Sequence, residues 1–551
     1  MHFVQRGIVR GPAILAALLL AVTGCSPGPD QPETGATQPA AERTESPESS
    51  VEPPLSWGPS LADEAAAKQA IEKLDDAELA GQVIMAQYTG TSVSAAAGLV
   101  KKHHLAGVIT MADNLPTDAA GKVDTDKLHD VTEAIQKAAE DDGREWPAII
   151  GVDQEGGPVA RLSSPVTGFP AFMSYGAAGD AELARRAARV QAAELAELGY
   201  TLDFAPSIDV TAGAEDAVIG VRSPAGDPQL AAKVGSAAVQ GFSDAGVVST
   251  VKHFPGHGSL TTDSHESLPV LDSSLKALEA RDWVPFRAAI DDGAPVVMMG
   301  HIAAKAIDPG KPASLSKQAY KTLRSRLGFE GVAVTDALNM GAVDASAGDA
   351  TVEAIRAGAD LALMPADTAS AHAALVAAVK DGSLKRSRLE QAATRVVTLM
   401  MWQQEQAGKA EAATADDAAP AEVSQQVSAA GITMVHGKCG KELVRDSVTV
   451  VGGTTTDRAR FAAAAKQAGV STGSGPTVRL LGASGSPGGD IAVALDGPWA
   501  LKRSDADTQL ALYGRTKGAF AALLDVLTGK KDAPGKLPLT IKGLDEDAGC
   551  G

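Results

Sequence analysis

Between Leu61 and about Gly408, short apolar runs rich in β-branched residues alternate with alanine-rich stretches of helical period. The runs are Gln82–Ala86, Gly107–Thr110, Ala148–Val152, Leu202–Ala205, Val247–Val251, Val296–Met299, Val332–Thr335 and Leu361–Met364. Helical patterns fall between most of them, most clearly at Ala181–Leu198, Gln229–Asp244, Leu275–Asp291 and Val352–Ala357. Eight βα-type repeats in about 350 residues predict a (β/α)8 barrel over 61–408. An open doubly wound sheet is the competing arrangement on pattern alone.

The pattern changes at both ends. Residues 409–421 are small and polar and read as a linker. Beyond them, Thr433–Val435, Val448–Val451, Arg479–Leu481, Ile491–Ala494 and Leu537–Ile541 read as strands, with helices near Asp457–Gln467 and Asp507–Leu527. Residues 422–551 are therefore expected to form a small α/β domain. At the other end, Arg6 and Arg10 precede the apolar run Ile14–Val22 and the sequence Val22-Thr23-Gly24-Cys25. That run is too short to span a bilayer core of about 30 Å, and it reads as a signal peptide over 1–24. Its ending resembles a bacterial lipobox, which implies diacylation of Cys25. Residues 26–60 hold eight prolines among Ser, Thr, Glu, Gln and Gly. Such a stretch cannot bury enough apolar surface to offset its ordering entropy. Residues 25–60 are thus expected to be a disordered, lipidated tether reaching roughly 30–35 Å.

Composition narrows the function classes. The chain has 551 residues, 68 acidic against 49 basic side chains, a net charge of −19 and 44% apolar residues. An apolar fraction of that size excludes a wholly disordered protein. The acidic balance argues against a nucleic-acid partner, which would call for a basic surface. Three cysteines cannot make a four-cysteine zinc cluster. With Cys25 assigned to lipid, Cys439 and Cys550 remain. Outside the membrane they can pair and close a loop of about 110 residues, worth up to about 4–5 kcal/mol in the chain-entropy account; two free thiols are the alternative.

Ionisable residues gather just after the predicted strands, where a barrel builds its active site. After the third strand come Asp153, Gln154, Glu155, Gly156 and Gly157, then Arg161; after the fifth come Lys252-His253-Phe254-Pro255-Gly256-His257-Gly258, running into Asp263-Ser264-His265; His301 follows the sixth and Asp336 the seventh. One such Asp could simply cap the next helix, but a core does not tolerate so many ionisable groups at one rim without a use for them. Pro255 and the glycines keep His253, His257 and His265 off a common helix face, so they are read as loop residues and no metal site is expected. Nor does the chain carry a Gly-x-Ser-x-Gly elbow, a P-loop or a dinucleotide fingerprint, and no cofactor is expected. A retaining glycosidase needs a nucleophilic carboxylate and a proton donor across the scissile bond. Asp336 suits the first role. Asp263 and His265 suit the second as a dyad, since an imidazole titrates near neutrality and can donate and then accept a proton.

Lys252-His253-Phe254-Pro255-Gly256-His257-Gly258, Asp263-Ser264-His265 and Leu268-Pro269 together resemble the signature of the β-N-acetylglucosaminidase (β-N-acetylhexosaminidase) branch of glycoside hydrolase family 3. The likeness covers about 65–400. Gly151-Val152-Asp153-Gln154-Glu155-Gly156-Gly157 and Thr335-Asp336-Ala337-Leu338-Asn339-Met340 fit the same family. The resemblance implies that Asp336 forms the glycosyl-enzyme and that Asp263–His265 is the acid/base dyad. It also implies that Asp153, Arg161, Arg222, Lys252 and His253 hold the sugar, Arg222 through Val218-Ile219-Gly220-Val221-Arg222-Ser223. Departures are Ser259-Leu260 where Asp-Thr is commoner, Ala337 where many members carry a second Asp, and Pro224-Ala225 in place of an aromatic. The C-terminal piece is similar to the family's α/β sandwich, shortened, and is expected to be structural.

The reading that follows is exo-hydrolysis, with retention, of terminal β-linked N-acetylglucosamine from peptidoglycan fragments. The site would lie at the outer face of a bacterial cytoplasmic membrane, which the chain meets only through its lipid anchor. The rivals are phosphorolysis or β-glucosidase activity on the same fold and, from another class, an inactive lipid-anchored wall-binding protein.

Overall fold

The computed structural model describes residues 54–216, 218–343, 347–413, 418–483, 485–544 and 549–550. The leader, Cys25 and the tether up to residue 53 lie outside the described residues.

Eight strands, β1 (Ile84–Gln87), β2 (Gly107–Thr110), β3 (Ile149–Val152), β4 (Leu202–Asp203), β5 (Val248–Phe254), β6 (Val296–Met299), β7 (Val332–Thr335) and β8 (Ala362–Leu363), form one parallel sheet. Their order is 7-6-5-4-3-2-1-8. A parallel bridge joins Val334 of β7 to Leu361 beside β8, and the Thr335 N–H donates to the Leu361 carbonyl at 3.0 Å. The sheet therefore closes, and the fold is the (β/α)8 barrel that the strand pattern predicts. All of β2, β3, β5, β6 and β7 is buried, packed inward on the barrel core and outward on helices.

The helices start where the sequence supplies caps. Asp180 accepts from the Leu183 N–H at 3.1 Å to open Ala181–Glu197. Asp227 does the same for Leu230 at 2.7 Å, ahead of a helix whose first residue is Pro228. Leu275–Asp291, expected as one helix, is two, Leu275–Ala280 and Trp283–Asp291. The break falls at Arg281-Asp282: Arg281 donates to Asp282 at 2.7 Å and to the Val210 carbonyl at 2.8 Å, and these bonds override the local helical pattern.

The stretch 409–421 is not all linker. The helix Arg386–Ala413 runs into it, because Lys409-Ala-Glu-Ala-Ala is made of strong helix formers, and the next helix begins at Pro420. The second sheet holds β9 (Thr433–His436), β10 (Ser447–Gly452), β11 (Ser471–Leu481), β12 (Ile491–Ala494) and β13 (Thr508–Ala511) in the order 9-13-12-11-10. Only the β9–β13 pairing is antiparallel.

Two expectations for this domain are corrected. Thr508–Ala511, within the span expected to be helical, is a strand with neighbours on both sides, and the helix starts only at Lys517 behind the Thr516 cap. Leu537–Ile541, expected as a strand, is irregular instead. Leu539 and Ile541 are buried in an apolar cluster against which Leu537, Val221 and Trp499 also pack, and the Gly226 N–H donates to the Pro538 carbonyl at 3.0 Å. Cys439 and Cys550 are joined by a disulfide with Cα atoms 5.7 Å apart.

The chain meets the barrel at the end where the strands begin. Trp57 is buried, Gly58 lies against Trp402, and Ser56 Oγ donates at 2.8 Å to Glu330, two residues before β7.

Candidate active site

At the opposite end of the barrel, five strand ends deliver charged or titratable side chains. After β3 the chain turns back at once in a hairpin, Gln154–Gly156 against Val159–Ala160. Gly156 and Gly157 turn it with φ of +84° and +59°, a region costly for residues with a Cβ. A Cβ on Gly157 would also come within 2.6 Å of the Ala171 backbone. The reversal lets the Arg161 N–H donate to the Asp153 carbonyl and sets the Arg161 guanidinium 3.3 Å from the Asp153 carboxylate.

β5 runs to Phe254, beyond the Val247–Val251 run, so Lys252 and His253 are strand residues at the barrel mouth and not loop residues. Lys252 Nζ reaches Asp153 Oδ1 at 2.9 Å and Glu155 Oε1 at 2.7 Å. Arg222 clamps Glu155 with two bonds of 2.8 Å. It is held on a short turn that Asp216 organises by accepting from Ile219 and Gly220 N–H at 2.9 and 3.0 Å. Val221, next to it, packs against the apolar cluster that holds Val435, Ala494 and Leu539, so the second domain buttresses this turn.

Four of the residues singled out in the sequence, Asp153, Arg161, Arg222 and Lys252, thus meet around Glu155. Burial pushes the Glu155 carboxyl up, but Arg222 and Lys252 outweigh it and hold the group well below the usual carboxylate range. Lys252 is likewise kept charged: burial disfavours the ammonium, and Asp153 and Glu155 overcome that. Arg161 Nε is buried with no protein partner among the described residues, a donor free for a ligand hydroxyl.

His253 belongs to a second cluster. Its Nδ1 lies 2.7 Å from Asp209 Oδ2, and its Nε2 faces Arg222 at 3.5 Å. Because Arg222 can only donate, Nε2 is the acceptor and Nδ1–H donates to Asp209. Asp209 also accepts from the His257 N–H at 2.7 Å. Burial raises its pKa, yet His253 and His257 draw it down to about 2. His257 is itself pushed down to about 4 by burial.

Asp336 sits one residue beyond β7. Its Oδ1 accepts from the Ala337 N–H at 2.8 Å, and its own N–H donates to the Met299 carbonyl at 2.9 Å. Burial acts to raise its pKa; His301, His253, the Ala337 N–H and Lys252 prevail and lower it. The carboxylate is therefore held toward its ionised form, and the residue is partly open to solvent. His301 is buried, and burial lowers its pKa despite Asp336. A neutral ring fits both of its bonds: Nε2–H donates to the Ala337 carbonyl at 2.8 Å, and Nδ1 accepts from Ser314 Oγ at 2.6 Å.

Asp263 and His265 occupy an exposed loop. Asp263 Oδ1 accepts from the His265 N–H and lies 2.8 Å from the His265 ring Nδ1. Burial, which raises the Asp263 pKa, is outweighed by these bonds, and the carboxyl is held below its ordinary value. The loop is tied to the segment that follows Asp336 by the Gly341 N–H donating to the His265 carbonyl at 3.2 Å. Among the described residues no group of three or more His, Cys, Asp or Glu side chains is placed to hold a metal ion.

Glu155, Asp209 and His301 were not singled out as site residues from the sequence. Glu155 and His301 stand at strand ends, a signal that was available. Asp209 lies 44 positions from His253 in an irregular segment, with no local mark.

Comparison with known proteins identifies what the barrel is similar to. The family model for the glycosyl hydrolase family 3 N terminal domain matches residues 76–399. A beta-hexosaminidase A of Pseudoalteromonas piscicida is 37% identical over 287 residues, covering 48% of this chain and 47% of that protein. The chain thus spans about half the length of that relative. The beta-hexosaminidase LpqI of Mycobacterium tuberculosis is 35% identical over 268 residues, covering 47% of this chain and 69% of its own. Among solved structures, a glycoside hydrolase family 3 beta-N-acetylglucosaminidase from Paenibacillus sp. str. FPU-7 superposes with a TM-score of 0.75 at 29% identity, covering 85% of this chain and 99% of that one.

Proposed function

Since the chain belongs to glycosyl hydrolase family 3, we propose that it is a retaining exo-glycosidase that removes terminal β-linked N-acetylglucosamine from peptidoglycan-derived fragments. The observation that carries this reading is the pairing of an ionised carboxylate, Asp336, fixed at a barrel strand end, with an exposed imidazole, His265, oriented by Asp263. In the first step an Asp336 oxygen attacks the anomeric carbon while the His265 imidazolium, supported by Asp263, gives its Nε2 proton to the departing glycosidic oxygen. In the second, neutral His265 takes a proton from water, which attacks the anomeric carbon and frees Asp336. Asp153, Arg161, Arg222, Lys252 and His253 grip the sugar hydroxyls, their mutual ion pairs fixing donors and acceptors in advance. The acetamido preference is supported by the names of the relatives.

The localisation belongs to the same proposal. A lipid on Cys25 would tether the protein at the outer face of the membrane. The chain joins the barrel at the end remote from the site, an arrangement suited to keeping the mouth clear.

Asp336→Ala is the test. Turnover of an aryl β-N-acetylglucosaminide should fall by about a thousandfold or more, and equal rates would remove Asp336 from the nucleophile's role. Products of the intact protein should be the same with and without phosphate; a sugar 1-phosphate would make it a phosphorylase.

A further inference from the structure

The second sheet has a cavity of its own. About 420 Å³ of space lies outside the carboxyl ends of β12 and β13, roofed by the barrel segment around Gly157–Thr167. It shares no lining residue with the sugar site, although Leu162 and Val221, which adjoin Arg161 and Arg222 in sequence, contribute to its wall. In open α/β sheets the crevice beyond the carboxyl ends of the strands is where ligands bind.

Three cations, Arg460, Arg515 and Lys517, and one acid, Asp496, lie in its lining, in a chain whose net charge is −19. Arg515 is committed: it donates at 2.8 and 2.6 Å to Asp496 and at 2.5 Å to Asp457. Arg460 and Lys517 differ. Arg460 donates to the Arg515 carbonyl, and among the described residues neither it nor Lys517 meets a carboxylate. Lys517 also opens the helix Lys517–Leu527 behind Thr516, whose hydroxyl caps the Ala519 N–H, and Thr516, Lys517 and Gly518 line the cavity. Two cations without a carboxylate partner, a half-open cavity and a helix start converge there.

We infer that this cavity binds a small anion, a carboxylate or phosphate monoester, through Arg460 and Lys517. The site is separate from the sugar subsite and does not depend on the glycosidase reading.

Calorimetric titration of the full chain at low salt with succinate and, separately, inorganic phosphate tests it. Saturable binding of at least one anion is expected, the tighter of the two naming the ligand class. Arg460→Gln and Lys517→Glu should each weaken it by about tenfold or more, and Lys517→Glu should leave the melting temperature of the anion-free protein unchanged. Lys517 is exposed, so its variant carries the test if Arg460→Gln does not fold. No binding of either anion overturns the inference. So does binding that survives both substitutions but is lost in Lys252→Gln, which would place the anion in the barrel.

Discussion

Asp209 Oδ2 takes two bonds from His253, one from the backbone N–H at 3.1 Å and one from the ring Nδ1 at 2.7 Å. Its other oxygen takes the His257 N–H. One buried carboxylate therefore fixes both the main chain and the ring tautomer of a residue at the proposed sugar site. Asp209→Asn keeps the shape but presents an amide N–H₂ where an acceptor is needed. With the ring free to turn, kcat/KM on an aryl β-N-acetylglucosaminide should drop by about 100-fold, the cost of a misplaced contact, while circular dichroism shows a folded protein. Unchanged kinetics would mean that the bonds to Asp209 serve only the fold.

His265 is assigned to proton donation, which matters in proportion to how poor the leaving group is. His265→Ala should therefore lose about 100-fold or more on an alkyl or sugar aglycone, and much less in the first step on a dinitrophenyl one. On the activated substrate the slowed second step should let glycosyl-enzyme accumulate, visible as a burst of phenolate and by intact-protein mass. A uniform loss across leaving groups would count against the acid role.

What could be read from the chain beforehand follows from the range of the forces involved. The barrel was legible because each strand is a short apolar run, and Asp336, Lys252 and His253 because they directly follow or end such runs. Asp263 and His265 are two residues apart, so their dyad is local. Glu155 and Asp209 acquire meaning only when Arg222, Lys252 and His253 arrive from distant positions to offset their burial. The fifth strand of the second sheet went unread for a related reason: Thr508–Ala511 is held by its neighbours β9 and β12, and its own residues suit a helix as well. Leu537–Ile541 looks like a strand because its alternating apolar residues all meet one apolar cluster, but they meet it from an irregular segment and not from a ladder.

The disulfide Cys439–Cys550 closes almost the whole second domain, with a separation of 111 residues. Replacing both cysteines by serine should lower stability by up to about 4–5 kcal/mol through the entropy of the unfolded chain. Thermal unfolding with and without reductant would measure it. An unchanged melting temperature would show that the domain is held by its core alone. The proposed sugar site draws its charged groups from the barrel, so kcat of the folded double variant should stay close to that of the parent.

Asp203, at the end of β4 beneath Lys252, provides a prediction in pH. It is fully buried, one oxygen accepts from the Gln154 N–H at 2.9 Å, and the other has no partner among the described residues. Burial raises its pKa to about 8, with Asp153 and Glu155 adding to the effect against Lys252. A carboxyl whose folded pKa exceeds its unfolded value of about 4 binds more protons when folded between those limits. Its contribution to stability is then complete below about pH 4 and is lost as pH rises toward about 8, with a slope approaching 1.4 kcal/mol per pH unit. Asp203→Asn holds the same bond from Gln154 and carries no titrating proton. Denaturant unfolding of the two proteins at pH 5 and pH 8 should show the variant gaining on the parent as pH increases. A difference independent of pH would mean that Asp203 is charged in the folded barrel, and that Lys252 is shared among three carboxylates.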